Sequence, residues 1–136
     1  MSCLTHTPGL NESAFGLNVP VFSVALMQDV IGTQAAYRAI SLGTLFKSEE
    51  AQRLGFVDVL TESTDSAHVQ DEALIECEKW VAIPGREGNK FNLRNDTHTH
   101  FIAERQADIE AFVRNLTEPV TQQRLGDYLA SLSKKK

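Results

Sequence analysis

Cysteine is scarce in this 136-residue chain: Cys3 and Cys77 are the only two. They are far apart and form no Cys-x-x-Cys pair. That excludes a disulfide framework and fits a reducing compartment. Proline (4), tryptophan (1) and tyrosine (2) are also few. No apolar run exceeds a few residues, so no transmembrane helix is expected and no membrane partner. Basic residues are short too. Lys134, Lys135 and Lys136 supply three of the thirteen, leaving ten against eighteen acidic ones in the body. An acidic body without a basic stripe argues against nucleic acid as a partner. The terminal lysines read as a frayed, solvated tail. The first eight residues lack a basic segment followed by an apolar one, so they do not read as a secretory signal. They also lack the arginine of a mitochondrial presequence. The C-terminus is not a peroxisomal Ser-Lys-Leu.

What is present is helical patterning. Hydrophobic residues make up 42% and charged residues 23%. A chain of this size buries roughly two-thirds of its unfolded surface, so a core is possible without staples. Residues 2–20 hold Pro8, Gly9, Gly16 and Pro20 and read as loop. Val21, Val24, Ala25, Val30 and Ile31 fall at helical intervals. Gly32 interrupts, and Ile31, Ala35, Ala39 and Leu42 repeat across it at four, four and three, with Gly43 where a C-cap belongs. Ser48, Glu49 and Glu50 read as a capping hydroxyl and an acidic first turn. That helix stops by Gly55. Residues 56–60 are β-branched and aromatic and predict a strand. No partner for it is evident, and a lone strand cannot satisfy its backbone groups. Val69, Ala73, Cys77, Trp80 and Val81 form another stripe, stopped by Pro84 and Gly85, with Cys77 and Trp80 read as core. Residues 85–100 are polar with little periodicity. Gly85 and Gly88, at about 1 kcal/mol each inside a helix, predict a broken or late start there. Ile102, Ile109, Phe112, Val113 and Leu116 mark a helix over 102–116. Thr117 and Pro119 open another, whose apolar face carries Val120, Leu125, Tyr128, Leu129 and Leu132. The expected fold is mainly α with a short β element.

Little of the chain carries obvious chemistry. His98-Thr99-His100, with His6 and His68, lacks an acid or cysteine cluster at ligand spacing, so no metal is expected. There is no phosphate-cradling glycine loop and no Gly-x-Ser-x-Gly elbow. Glu12 remains. It sits among Leu10, Ala14 and Phe15, between Gly9 and Gly16. An apolar surround makes a carboxylate a better proton acceptor near neutral pH. On composition alone, a solvated loop glutamate is the simpler reading.

Gly9-Leu10-Asn11-Glu12, followed by Gly16 and Pro20, resembles the active-site loop of the enoyl-CoA isomerases of the crotonase (enoyl-CoA hydratase/isomerase) superfamily. Ile31-Gly32, Ala35-Ala36, Arg38-Ala39, Leu42-Gly43, Phe46, Glu50-Ala51, Gly55 and Val57-Asp58 follow in that family's order. So do Trp80, Ala82-Ile83-Pro84, Arg105-x-x-Asp108, Phe112-Val113 and Tyr128-Leu129. The resemblance runs from Gly9 to Lys136. Val21-Phe22-Ser23 after Pro20 is closer to the isomerases than to the glycine-rich turn of the hydratases.

The resemblance implies the C-terminal half of an α/β crotonase (ClpP/crotonase) fold. It divides the chain into an atypical segment 1–8, a core portion 9–83 with the catalytic loop, and a C-terminal helical oligomerisation region 84–136. It makes Glu12 the catalytic base. Leu10, Phe15, Leu17 and Phe22 are candidates to line the acyl pocket, with core packing at least as good a reading for each. The implied substrate is an acyl-CoA thioester of fatty-acid β-oxidation. No cofactor is implied, because coenzyme A is part of the substrate. The family assembly is a homotrimer in the mitochondrial matrix. The upstream half, with both oxyanion donors, is not matched. The expectation is therefore a truncated chain with little or no activity, or one that associates with full-length subunits.

Overall fold

A computed structural model describes residues 7–133, together with the backbone of Ser2 and Cys3. His6 and the lysine tail, both considered above, lie outside the described residues. Among the described residues there are two two-residue strands, one 3-10 turn and six α-helices. The strands are β1 (Ser2–Cys3) and β2 (Leu60–Thr61), paired in parallel. The helices are α1 (Val21–Ile31), α2 (Thr33–Leu42), α3 (Ser48–Arg53), α4 (Ser66–Val81), α5 (Arg86–Thr117) and α6 (Pro119–Ser133). No described helix is long and apolar enough to cross a membrane.

The chain forms two compact units, each drawn from two stretches of sequence. The first comprises residues 1–8 and 46–100, the second residues 9–45 and 101–136.

In the first unit the buried residues are Phe46, Ser48, Ala51, Val57 and Thr61. The rings of Phe46 and Phe56 approach to 6.1 Å. Ser48 does not cap α3 as expected. Lys47 holds the cap position, and Ser48 is the first helical residue with its side chain buried. The strand predicted over 56–60 is also displaced. The amides of Phe56 and Val57 both donate to the Ala51 carbonyl, so they close α3 instead of entering a ladder. Only Leu60 and the following Thr61 are extended, and they do find a partner in this chain, at Ser2 and Cys3. Asp65 caps α4, its carboxylate accepting from the Ala67 amide. Cys77 and Trp80, read from their stripe as core, are exposed instead. Their helix buries no residue, so the periodicity marks a face without a cover.

Residues 86–100 are helical, against the expectation of a broken or late helix. Helix α5 starts directly after the Pro84-Gly85 turn and continues through Gly88. It is solvated along this stretch, so it has no apolar stripe to announce it. Helix propagation absorbs one unfavourable glycine.

The second unit packs α1 against α2, burying Leu17, Met27, Ile31, Ala36 and Ala39. Helix α1 begins after Pro20, with no capping side chain of its own. Asp108 of α5 takes that role. Its two oxygens accept from the amides of Val21 (2.9 Å) and Phe22 (3.3 Å). One turn-pair further along α5, the Asn115 side-chain oxygen accepts from the Asn18 amide at 2.7 Å. Two turns earlier, Phe101 stacks on Phe22 with ring centroids 4.0 Å apart. Residues 101, 108 and 115 are seven apart and share a face of α5. Ile102, Ile109 and Val113, from that helix's apolar stripe, are about half exposed or more. Thr117 is not the cap of α6. It closes α5, its hydroxyl donating to the carbonyls of Val113 and Arg114. Pro119 is the first residue of α6, where its missing N–H costs nothing.

Two stability outcomes follow. Asp108→Ala is expected to lower unfolding free energy by about 1–2 kcal/mol, with Asp108→Asn closer to the parent chain. Gly88→Ala, whose added methyl meets nothing within 4 Å, is expected to raise it by about 0.5–1 kcal/mol. Urea unfolding followed by circular dichroism checks both.

Candidate active site

Glu12 opens a 3-10 turn, Glu12–Phe15, in the second unit. The turn is held from three sides by backbone geometry. Gly9 bridges Leu45 in antiparallel fashion. A β-carbon on Gly9 would lie 2.5 Å from the Thr44 carbonyl oxygen, so only glycine fits there. Gly16 closes the turn in the left-handed region (φ 78), its amide donating to the carbonyls of Glu12 and Ser13. The Leu17 amide also donates to the Glu12 carbonyl, at 3.1 Å. Asn11 precedes the turn, and the Ala14 amide donates to its carbonyl at 2.9 Å. Gly43, the αL end of α2, lies under Asn11 and Ala14.

Helix α6 reaches the same turn. The Asn11 side-chain amide donates to the Tyr128 hydroxyl at 3.4 Å. The Tyr128 ring packs on Phe15 at 4.9 Å. A hollow of about 450 Å³ beside the turn is lined by Ser13, Phe15, Gly16, Arg124, Asp127 and Tyr128.

The Glu12 side chain is half-buried. Its Oε2 atom is out of reach of solvent and has no hydrogen-bond partner among the described residues. A buried carboxylate oxygen without a donor is unusual in a folded chain, because leaving it unpaired costs stability. It also leaves a lone pair open to accept a proton. The four residues expected to line an acyl site are placed differently from one another. Leu17 is buried, Phe15 is engaged with Tyr128, Phe22 with Phe101, and Leu10 is half-buried. The histidines His98 and His100 stand exposed on α5, and His68 pairs with Glu72 at 3.4 Å on α4. Among the described residues no three His, Cys, Asp or Glu side chains cluster as metal ligands.

Pattern reading missed the roles of Asp108, Asn115 and Tyr128. Asp108 and Tyr128 lie in stretches that resemble the crotonase superfamily, but capping across 87 residues leaves no local signal.

A fold with this helical order is half of a crotonase fold. Superposition on the crystal structure of human mitochondrial delta3-delta2-enoyl-CoA isomerase gives a TM-score of 0.82 at 32% identity, covering 98% of this chain and 52% of that one. The sequence is similar to mitochondrial enoyl-CoA delta isomerase 1 of mouse, 36% identical over 133 residues, and of human, 34% identical over 130. These alignments take in 96% and 94% of this chain but 45% and 42% of the relatives. The chain thus spans somewhat less than half the length of the curated relatives it matches. No family model matches it.

Gly43 also constrains the turn directly. A β-carbon there would sit 2.9 Å from the Ala14 nitrogen and 3.2 Å from the Asn11 oxygen, at φ 60. Gly43→Ala is expected to destabilise the chain by about 2 kcal/mol or more. Amide exchange at Ala14, Gly16 and Leu17 should accelerate in that variant before exchange in α4 does.

Proposed function

We propose that this chain carries the general base of a Δ3,Δ2-enoyl-CoA isomerase, with Glu12 as that base. The observation that supports it most is the unpaired, buried Oε2 atom of Glu12, at the head of a turn fixed by Gly9, Gly16 and Gly43. In the reaction Glu12 takes a proton from C2 of a 3-enoyl-CoA, and the C–H electrons pass into the thioester and alkene. The intermediate is a dienolate whose charge rests mainly on the thioester oxygen. Glu12 then returns the proton to C4, leaving a 2-trans double bond. One carboxylate serves both steps, so the chemistry calls for no metal or redox cofactor, and coenzyme A arrives as part of the substrate. Leu10, Phe15, Leu17 and Phe22 are proposed to border the acyl chain. The relatives' names place the reaction in mitochondria.

Catalysis also needs donors for the thioester oxygen. Two backbone N–H groups in such a site contribute about 3–4 kcal/mol each. By the family resemblance, those donors belong to the part of the relatives that this chain does not match. The 136 residues alone are therefore expected to turn over little or no substrate.

A second reading is that the chain associates with full-length isomerase subunits without catalysing. Its support is the exposed apolar set of the second unit, which includes Ile102, Ile109, Val113, Val120, Leu129 and Leu132. Co-purification with a full-length subunit tests that reading.

The catalytic reading is tested in a chimera that joins the unmatched part of the mouse enzyme to this chain. The chimera is expected to isomerise 3-hexenoyl-CoA, and Glu12→Gln to cut kcat by about 10²–10⁴. A folded chimera in which Glu12→Gln keeps full activity would overturn the assignment. So would ready turnover by the 136-residue chain that survives Glu12→Gln.

A further inference from the structure

Where α4 turns into α5, the first unit holds a groove of about 420 Å³. It is lined by Trp80, Ile83, Arg86, Lys90, Leu93 and Arg94. The three cations are four residues apart, so they share one face of α5 and span about 12 Å. They gather there in a chain of net charge −5. Trp80 is 46% exposed.

The acidic groups nearby are Asp58, Glu76 and Glu87. Glu76 accepts from the Lys79 ammonium, and that hydrogen bond is the first cause holding its carboxyl below the ordinary range. Asp58 and Glu76 border a second hollow of about 330 Å³, which shares Trp80 and Arg86 with the groove. Glu87 follows Arg86 along α5.

An exposed indole and a row of cations lining one groove define a ligand by its chemistry. An indole face accepts another ring in offset stacking, with little preference among rings. Guanidinium and ammonium groups in a row take phosphate oxygens through charge-assisted hydrogen bonds. Neither contact alone is strong at an exposed site. The acidic remainder of the chain repels a long polyanion, so a small one is favoured. We propose that this groove binds a small organic anion in which a flat aromatic ring is joined to phosphate, with the ring on Trp80 and the phosphate along Arg86 and Lys90. The site does not depend on Glu12 or on the isomerase reading.

Trp80 is the only tryptophan in the chain, so indole fluorescence reports on this groove alone. The 136-residue chain is titrated with ADP, phenyl phosphate, adenosine and inorganic pyrophosphate. Saturable change is expected with ADP or phenyl phosphate, and the tighter of the two tells a nucleotide from a simple aryl phosphate. Adenosine and pyrophosphate are expected to bind at least about tenfold more weakly than the tighter one. Arg86→Ala and Lys90→Ala should each weaken binding about tenfold, and Arg105→Ala, outside the groove, should not. Far-ultraviolet circular dichroism checks that each variant remains helical. Lys90→Gln and the salt dependence of the parent chain give the same reading if an alanine variant unfolds. No saturable change with either phosphate would overturn the proposal. Equal affinity for adenosine and ADP, or binding indifferent to Arg86, Lys90 and salt, would do the same.

Discussion

The second unit depends on one carboxylate. Helix α1 starts at Val21 with its first amides unpaired by any neighbour in sequence, because Pro20 offers no side chain to cap them. Asp108 supplies both acceptors from α5. A negative charge at that end of a helix is also favoured by the aligned peptide dipoles. The consequence reaches beyond α1. The segment between the Glu12 turn and α1 is held by Asn115 at Asn18 and by Asp108 at Val21 and Phe22. A displacement of α5 would therefore loosen the chain immediately after the candidate base.

The turn itself is specified by exclusion. Gly9, Gly16 and Gly43 are required for different reasons. At Gly9 a carbonyl oxygen occupies the space a β-carbon needs, and at Gly43 a backbone nitrogen does. At Gly16 the left-handed backbone, with the Arg124 side chain pressed close, leaves no room. Tyr128 adds a polar and an aromatic contact from α6. Rigid backbone contacts of this kind fix a side chain's origin more firmly than flexible surface pairs do.

Much of this was legible in the sequence, and the failures share a cause. The helices over 21–31 and 33–42, and the cap at Gly43, follow from local spacing and local backbone preference. The Gly9–Gly16 motif located the Glu12 turn for the same reason. Residues 56–60 misled because their β propensity is real, yet two of their amides are taken by the Ala51 carbonyl. Cys77 and Trp80 misled because an apolar stripe records which face wants cover, not whether this chain covers it. Residues 86–100 hid a helix because periodicity is silent where every face is solvated. Asp108 and Asn115 were invisible as clamps, since nothing in a single sequence ties position 108 to position 21.

Placing the base and stabilising the charge it creates are separable tasks. The contacts described for the Glu12 turn come from residues 9–45 and from α6, all within the second unit of this chain. The Glu12 Oε2 atom at the head of that turn is buried and has no hydrogen-bond partner among the described residues. Those contacts do not by themselves lower the energy of a dienolate, which requires donors aimed at the thioester oxygen. A proton acceptor without such donors removes little of the barrier, because the developing anion is left to water. The chain therefore carries the geometric half of the proposed catalysis. Whether it acts as an enzyme turns on what is brought to face Glu12, and not on any further adjustment of Glu12 itself.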